Sequence, residues 1–209
     1  MQKYDSIPNI IFDFGGVLLN IDPQKAVNSF KQIGLHDVDL IKREYSESGL
    51  FDNLEKGFVS PEEFRSQIRK YISNGVSDAQ IDNAWNAMLL DLPFERLELL
   101  NRLKKDHRLF LLSNTNIIHW EAYMDMIKQV HGVCLSDFFV KDYYSHNMGL
   151  RKPNPQIYSE VLEAEGLKAG ETLFIDDMLA NVEAARSVGM LAHHLKIEEG
   201  ETVLDLFSN

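Results

Sequence analysis

Asp13 ends the apolar stretch Asn9-Ile10-Ile11-Phe12, and its carboxylate is a candidate nucleophile. Ser113-Asn114 end a second such stretch, Leu109 to Leu112, and Asp176-Asp177 end a third, Leu173-Phe174-Ile175. A lysine stands in Leu150-Arg151-Lys152-Pro153. One polar strand end alone means little, because Asp, Asn and Ser turn the chain well. Three of them with a lysine assemble a nucleophile, a hydroxyl, a cation and two further carboxylates. Carboxylates gathered in one place repel one another unless a cation neutralises them. A hard divalent cation with oxygen ligands meets that need.

These residues share a site only if the apolar stretches lie side by side. Each is short, fully apolar and rich in β-branched or aromatic residues, the pattern of a strand buried on both faces in a parallel sheet. A weaker fourth strand is expected from Met190 to Leu195. Helical patterns separate the strands, roughly Pro93 to Lys105, Ile117 to Val130, Asn154 to Glu165 and Leu179 to Val188. This alternation predicts an α/β fold with a doubly wound, Rossmann-like parallel sheet. In such sheets ligands bind at the carboxyl ends of the strands, where the polar residues stand.

The segment from about Pro23 to Leu92 is helical throughout. Ser60-Pro61-Glu62-Glu63 and Ser77-Asp78-Ala79-Gln80 both read as capped helix starts. The division expected is a core of residues 1–18 and 93–209 and an all-helical cap of residues 19–92. The insertion leaves the sheet just past the first strand, beside the expected site, which favours a cap over extra packing.

The 209 residues suit one large domain or a core with a modest insertion. A net charge of −11 with no basic stripe argues against a nucleic-acid partner. No apolar run is long enough to span a bilayer, so no membrane association is expected. The one cysteine, Cys134, cannot form an intrachain disulfide, and Met1 to Pro8 lacks the pattern of a secretory signal. Both point to the cytoplasm, and a monomer or weak dimer is expected.

The four polar groups, in order, resemble the motifs of the haloacid dehalogenase-like hydrolase superfamily: Phe12-Asp13-Phe14-Gly15-Gly16-Val17, Leu112-Ser113-Asn114, Lys152-Pro153 and Ile175-Asp176-Asp177. The resemblance spans nearly the whole chain. Met148 through Tyr158, with Leu112-Ser113-Asn114-Thr115-Asn116, is especially similar to bacterial α-D-glucose-1-phosphate phosphatases. The phosphatase domain of soluble epoxide hydrolase is a more distant likeness.

The resemblance implies a phosphatase acting on a small phosphorylated metabolite, with one Mg²⁺. Asp13 would attack phosphorus to form an aspartyl-phosphate, and Ser113 would donate its hydroxyl to a phosphate oxygen. Asn114 would add its amide and backbone N–H. Lys152 would neutralise both Asp13 and the phosphate. Asp13, Asp177 and the backbone carbonyl of Gly15 would hold the metal, with Asp176 acting directly, through water or by orienting Lys152.

Most phosphatases of this superfamily carry a second Asp where this chain has Gly15. That Asp protonates the leaving oxygen, and such general acid help is worth about 10²–10⁴-fold. Its loss is expected to bias the enzyme toward better leaving groups, such as the anomeric oxygen of glucose-1-phosphate, an acyl phosphate or a phosphoanhydride. Asp22, just past the first motif where the chain turns toward the cap, is a substitute for the missing acid, and Glu55, His119 and His146 are weaker ones. His193-His194, in a strand, would point to opposite faces.

Phe51-Asp52-Asn53-Leu54-Glu55-Lys56-Gly57 resembles the cap segment that ends near the substrate, so Glu55 or Asn53 would bind sugar hydroxyls. Phe51, Phe58 and Trp85 are expected in the cap's core. Three readings compete: a metal-independent 2-haloacid dehalogenase, a phosphomutase, and a catalytically weak phosphometabolite-binding protein. The paired Asp176-Asp177 argues against the first, and the missing second Asp against the mutase.

Overall fold

The computed structural model describes Tyr4 and residues 6–35 and 49–207. Five parallel strands form one sheet: β1 (Asn9–Phe12), β2 (Arg108–Ser113), β3 (Lys141–Tyr144), β4 (Thr172–Asp176) and β5 (Leu191–His194). Their order is β3-β2-β1-β4-β5, with β1 in the centre. Phe12 pairs with Leu111 on one side and Ile175 on the other. The residues that follow these strands therefore leave the sheet along one edge.

Alternation along each strand sorts the core into two layers. Ile10, Phe12, Leu109, Leu111, Leu173 and Ile175 enter one apolar cluster. Ile11, Phe110, Leu112 and Phe174 enter the other. Helices α5 (Phe94–Leu103) and α6 (Ile117–His131) supply the first layer, and α8 (Pro155–Ala164) and α9 (Leu179–Ser187) the second. A sheet covered on both faces explains why its inner strands are apolar throughout.

Strand β3 was not expected from the sequence. It reads Lys-Asp-Tyr-Tyr and lies at the sheet edge, where only one side pairs and three of its four residues keep some exposure. It therefore lacks the apolar run that marks the inner strands.

Between β1 and α5 the chain forms α1 (Pro23–Gln32), α2 (Leu50–Glu55), α3 (Pro61–Ile68) and α4 (Asp78–Asn86). Ser60 caps α3 by accepting from the Glu63 N–H at 3.2 Å. The second expected box closes in both directions: Ser77 Oγ accepts from the Gln80 N–H, and Gln80 Oε1 from the Ser77 N–H. These helices share a separate apolar cluster around Phe51, Phe64 and Trp85, which Ile118 of α6 joins from the sheet side. Phe58, expected in that cluster, is instead 65 % exposed. It follows Gly57, which turns in the left-handed region at φ 71° and carries the chain away from the apolar face of α2.

The outgoing and returning segments run beside each other. Asn20 N–H donates to Asp91 O, Leu90 N–H to Asn20 O and Asp22 N–H to Met88 O. Among the described residues no helix is long and apolar enough to cross a membrane. The short helix α7 (Ser145–Met148) follows β3 and leads into the loop that carries Lys152.

Candidate active site

Asp13 is the first residue past β1, and its N–H donates to Ile175 O at 2.9 Å, so the central strands fix its backbone. Lys152 comes from the α7–α8 loop, yet its side chain is 1 % exposed. Its Nζ lies 2.6 Å from Asp13 Oδ1 and 2.7 Å from Asp176 Oδ2. A buried ammonium needs paired charge, and two strand ends supply it.

Asp176 is fully buried and completely engaged. Besides Lys152, it accepts from the Met178 N–H at 2.8 Å and from Asn181 Nδ2, 3.0 Å from each carboxylate oxygen. The Met178 contact is the turn-forming role expected of an Asp before a helix, and Asp176 alone performs it. Carboxylate oxygens of Asp13, Asp176 and Asp177 lie within 4.8 Å of one another.

Burial pushes the Asp13 carboxyl up to about 8; Lys152 pulls it down, while Asp176 and Asp177 raise it further. Burial, then Asp176, pushes Asp177 up to about 6. Burial works against the Lys152 charge, but Asp13 and Asp176 outweigh it and hold its pKa above the ordinary value. When ionised, three carboxylates against one ammonium leave two negative charges uncompensated. One divalent cation has the matching charge, and an all-oxygen donor set suits Mg²⁺. The residues present therefore fit the ion.

Ser113 ends β2, is 3 % exposed, and has only a long 3.5 Å contact to Asn114 O. The Asn114 carboxamide, expected on the phosphate, is used elsewhere. Its Nδ2 donates to Lys152 O and its Oδ1 accepts from the Lys152 N–H, both at 2.9 Å. This reciprocal pair locks the Lys152 loop to the end of β2, so the side chain positions the lysine instead.

An ideal Cβ on Gly15 would lie 3.2 Å from Ile21 Cδ1. An apolar side chain thus crowds the space where an acidic residue would begin, and it would have to give by a few tenths of an ångström to admit one. The four substitutes for that acid differ in placement. Asp22 caps α1, accepting from the Gln24 N–H at 3.0 Å. His119 is buried, stacks on Trp85 with ring centroids 4.5 Å apart, and has Nδ1 2.7 Å from Asn86 Oδ1. Burial pushes its pKa down to about 3. His146 stacks on Tyr144, and burial lowers its pKa. Glu55, the last residue of α2, is 7 % exposed and reaches the loop that carries Lys152.

That reach runs through Arg151, which the sequence offers as a cation beside Lys152 but whose contacts with the insertion it does not show. Arg151 Nη1 lies 3.2 Å from Asp52 Oδ1, and Nη2 lies 2.9 Å from Glu55 Oε2. Lys56 Nζ holds the other Asp52 oxygen at 2.7 Å. Asn181 and His194 were also missed as site residues. Asn181 sits in the first turn of α9, five residues past Asp176. His193 and His194 do diverge: His193 meets Tyr4 and Glu201, while His194 Nε2 lies 3.0 Å from Asp177 O.

The sequence pattern of the haloacid dehalogenase-like hydrolases matches residues 7–189. A D-ribitol-5-phosphate phosphatase of Bacteroides thetaiotaomicron is 33 % identical over 185 residues, covering 88 % of this chain and 89 % of the relative. A haloacid dehalogenase family enzyme of that organism, solved with magnesium and inorganic phosphate, is 38 % identical. It matches with a TM-score of 0.87 over 96 % of this chain and 99 % of its own. A family hydrolase from Porphyromonas gingivalis is also 38 % identical, with a TM-score of 0.82 over 90 % and 91 % of the two chains. The strand-end carboxylates, the buried lysine and these likenesses agree: the chain belongs to the haloacid dehalogenase-like hydrolase family.

Proposed function

We propose that this protein is a magnesium-dependent phosphatase that hydrolyses small phosphorylated sugars or sugar alcohols through an aspartyl-phosphate on Asp13. The observation that carries the reading is Lys152 Nζ bridging Asp13 and Asp176 beside Asp177.

Asp13 attacks phosphorus, splitting one difficult displacement into two easier ones. The Ser113 hydroxyl and the Asn114 backbone N–H donate to non-bridging oxygens, where charge is spread in the transition state. Lys152 keeps Asp13 in place and offsets the charge of the incoming phosphate. Asp13, Asp177 and the Gly15 carbonyl would hold Mg²⁺, with Asp176 outside the direct set because Lys152, Met178 and Asn181 already occupy its oxygens. Magnesium, when bound, neutralises the carboxylates and the phosphate. Residues 1–18 and 93–209 act as the catalytic core. Residues 19–92 act as a cap whose helix α2 faces the leaving group and sets substrate size.

Glucose-1-phosphate is the substrate suggested by sequence motifs, and ribitol-5-phosphate is the one named for a relative. Both belong to the proposed class, but the first leaves as an anomeric oxygen and the second as a primary alkoxide. A metal-independent dehalogenase has no use for three clustered carboxylates, and nothing in the site favours that reading.

The test is phosphate release from ribitol-5-phosphate, glucose-1-phosphate and glucose-6-phosphate, with Mg²⁺, with chelator, and with Asp13→Ala. Turnover that needs Mg²⁺ and Asp13 is expected. Turnover that survives chelation or Asp13→Ala, or no turnover of any phosphate, overturns the proposal.

A further inference from the structure

An alkoxide leaving group needs a proton, and the first motif does not supply one. Ile21 crowds the space beside Gly15, Asp22 is engaged as a helix cap, and burial lowers the pKa of His119 and His146, which disfavours the charged acid form of each. Building on the phosphatase reading above, we propose that Glu55, at the end of α2, is the general acid that protonates the leaving oxygen.

Three features of its setting support the role. Glu55 Oε2 is buried and lies 2.9 Å from Arg151 Nη2, yet accepts no aligned hydrogen bond. The charge is close but the N–H is not aligned with that oxygen, so the Arg151 ion pair leaves Oε2 with hydrogen-bonding capacity.

The second feature is location. Arg151 directly precedes Lys152, whose Nζ touches Asp13. Asp52, one turn before Glu55 on α2, and Lys56, just past the helix, line a cavity of about 350 Å³ together with Arg151, Lys152, Pro153 and Asn154. Helix α2 is pressed onto the core just past Glu55, because a Cβ on Gly57 would come within 2.1 Å of His146 O. Glu55 is thus held where the insertion meets the Lys152 loop. In-line displacement puts the leaving oxygen opposite Asp13, and the role assigned to Glu55 requires that side to be the insertion's.

The third is electrostatic. Asp52, Arg151 and Lys152 are the charged groups that act on Glu55, and Lys56 is paired to Asp52. Burial raises the Glu55 pKa, Arg151 lowers it, Asp52 raises it and Lys152 lowers it, with a net rise. Burial thus favours the protonated acid that can donate, and Arg151, 2.9 Å away, stabilises the carboxylate once the proton is gone.

The two half-reactions balance. As the Asp13 oxygen bonds to phosphorus, the bond to the leaving oxygen breaks and its electron pair takes the Glu55 proton. Water then occupies the vacated side. Glu55 carboxylate takes one of its protons as the water oxygen bonds to phosphorus. The bond to Asp13 breaks, its electron pair returns to the Asp13 carboxylate, and phosphate departs.

The experiment compares Glu55→Gln with wild type on ribitol-5-phosphate and on p-nitrophenyl phosphate, whose leaving group needs no proton. On the alkyl ester, kcat should fall by about 10²–10⁴-fold with no burst. On the aryl ester, one equivalent of nitrophenolate per enzyme should appear in a burst, followed by slow turnover limited by hydrolysis of the phosphoenzyme. A structural role predicts equal losses on both substrates. Equal losses without a burst, or no loss, overturn the assignment.

If Glu55→Gln does not fold, Glu55→Asp decides, because it keeps a carboxyl but withdraws it by one methylene. The alkyl ester should then lose more kcat than the aryl ester's burst phase does, and equal losses overturn the role. Failure of the phosphatase reading is recognised separately, because wild type would then turn over neither ester.

Discussion

Gly16 touches no substrate in the proposed mechanism, yet a single methyl there should separate metal binding from folding. Gly16 adopts φ 80°, and an ideal Cβ on it would lie 2.6 Å from Asp177 Oδ2 and 2.7 Å from Asp177 Cγ. Gly16→Ala therefore has two effects. The left-handed backbone costs an L-residue about 1–2 kcal/mol. At about 2–4 °C per kcal/mol for a chain of this size, Tm should fall by roughly 2–8 °C. The crowded atoms belong to the end of a side chain, so the Asp177 carboxylate can swing aside at little further cost to folding. Swinging aside moves it from Asp13 and Asp176. Disturbing the supports of a ligand typically lowers metal affinity by about 10–100-fold, and the Mg²⁺ concentration for half-maximal activity should rise by that factor. The assay is phosphate release across a Mg²⁺ titration, beside thermal melts in chelator. A lower Tm with an unchanged Mg²⁺ midpoint would refute Asp177 as a ligand placed by the Gly16 turn.

Lys152→Met should remove activity and cost about 3–5 kcal/mol in metal-free protein, since it leaves the buried carboxylates unpaired. The deficit in Tm should shrink at pH 5, where those carboxyls take up protons; a deficit independent of pH contradicts the pairing. The folded pKa values of Asp13, about 8, and Asp177, about 6, lie above the ordinary carboxylate value. The folded state thus binds more protons than the unfolded, and their contribution to metal-free stability falls as pH rises from about 4 to about 8. Mg²⁺ at 100 times its Kd adds about 2.7 kcal/mol and competes with those protons. At fixed Mg²⁺, the Tm gap between magnesium and chelator should widen from pH 5 to 8, and a constant gap contradicts the carboxylate site.

Much of the core was legible because its signals are local. Ile10, Ile11 and Phe12, and likewise Leu109 to Leu112, are buried on both sheet faces, so apolar residues run without a break and end where polar chemistry begins. Ser60 and Ser77 announce their helices because capping is settled within four residues. Strand β3 escaped because an edge strand has no need of an apolar run, and Phe58 because the left-handed turn at Gly57 breaks the face that Phe51 and Trp85 share.

The residue types at Asp13, Ser113, Lys152, Asp176 and Asp177 are a property of the sequence alone, as is the absence of a second acid at Gly15. What those residues meet was decided only in three dimensions. Asn114 is drawn to the Lys152 backbone, Asp176 is filled by Lys152, Met178 and Asn181, and Arg151 turns to Asp52 and Glu55. Each of these pairings except the local turn at Met178 and Asn181 joins groups dozens of residues apart. A buried charge takes whichever partner the packed fold brings within about 3 Å, and chain spacing does not encode that distance.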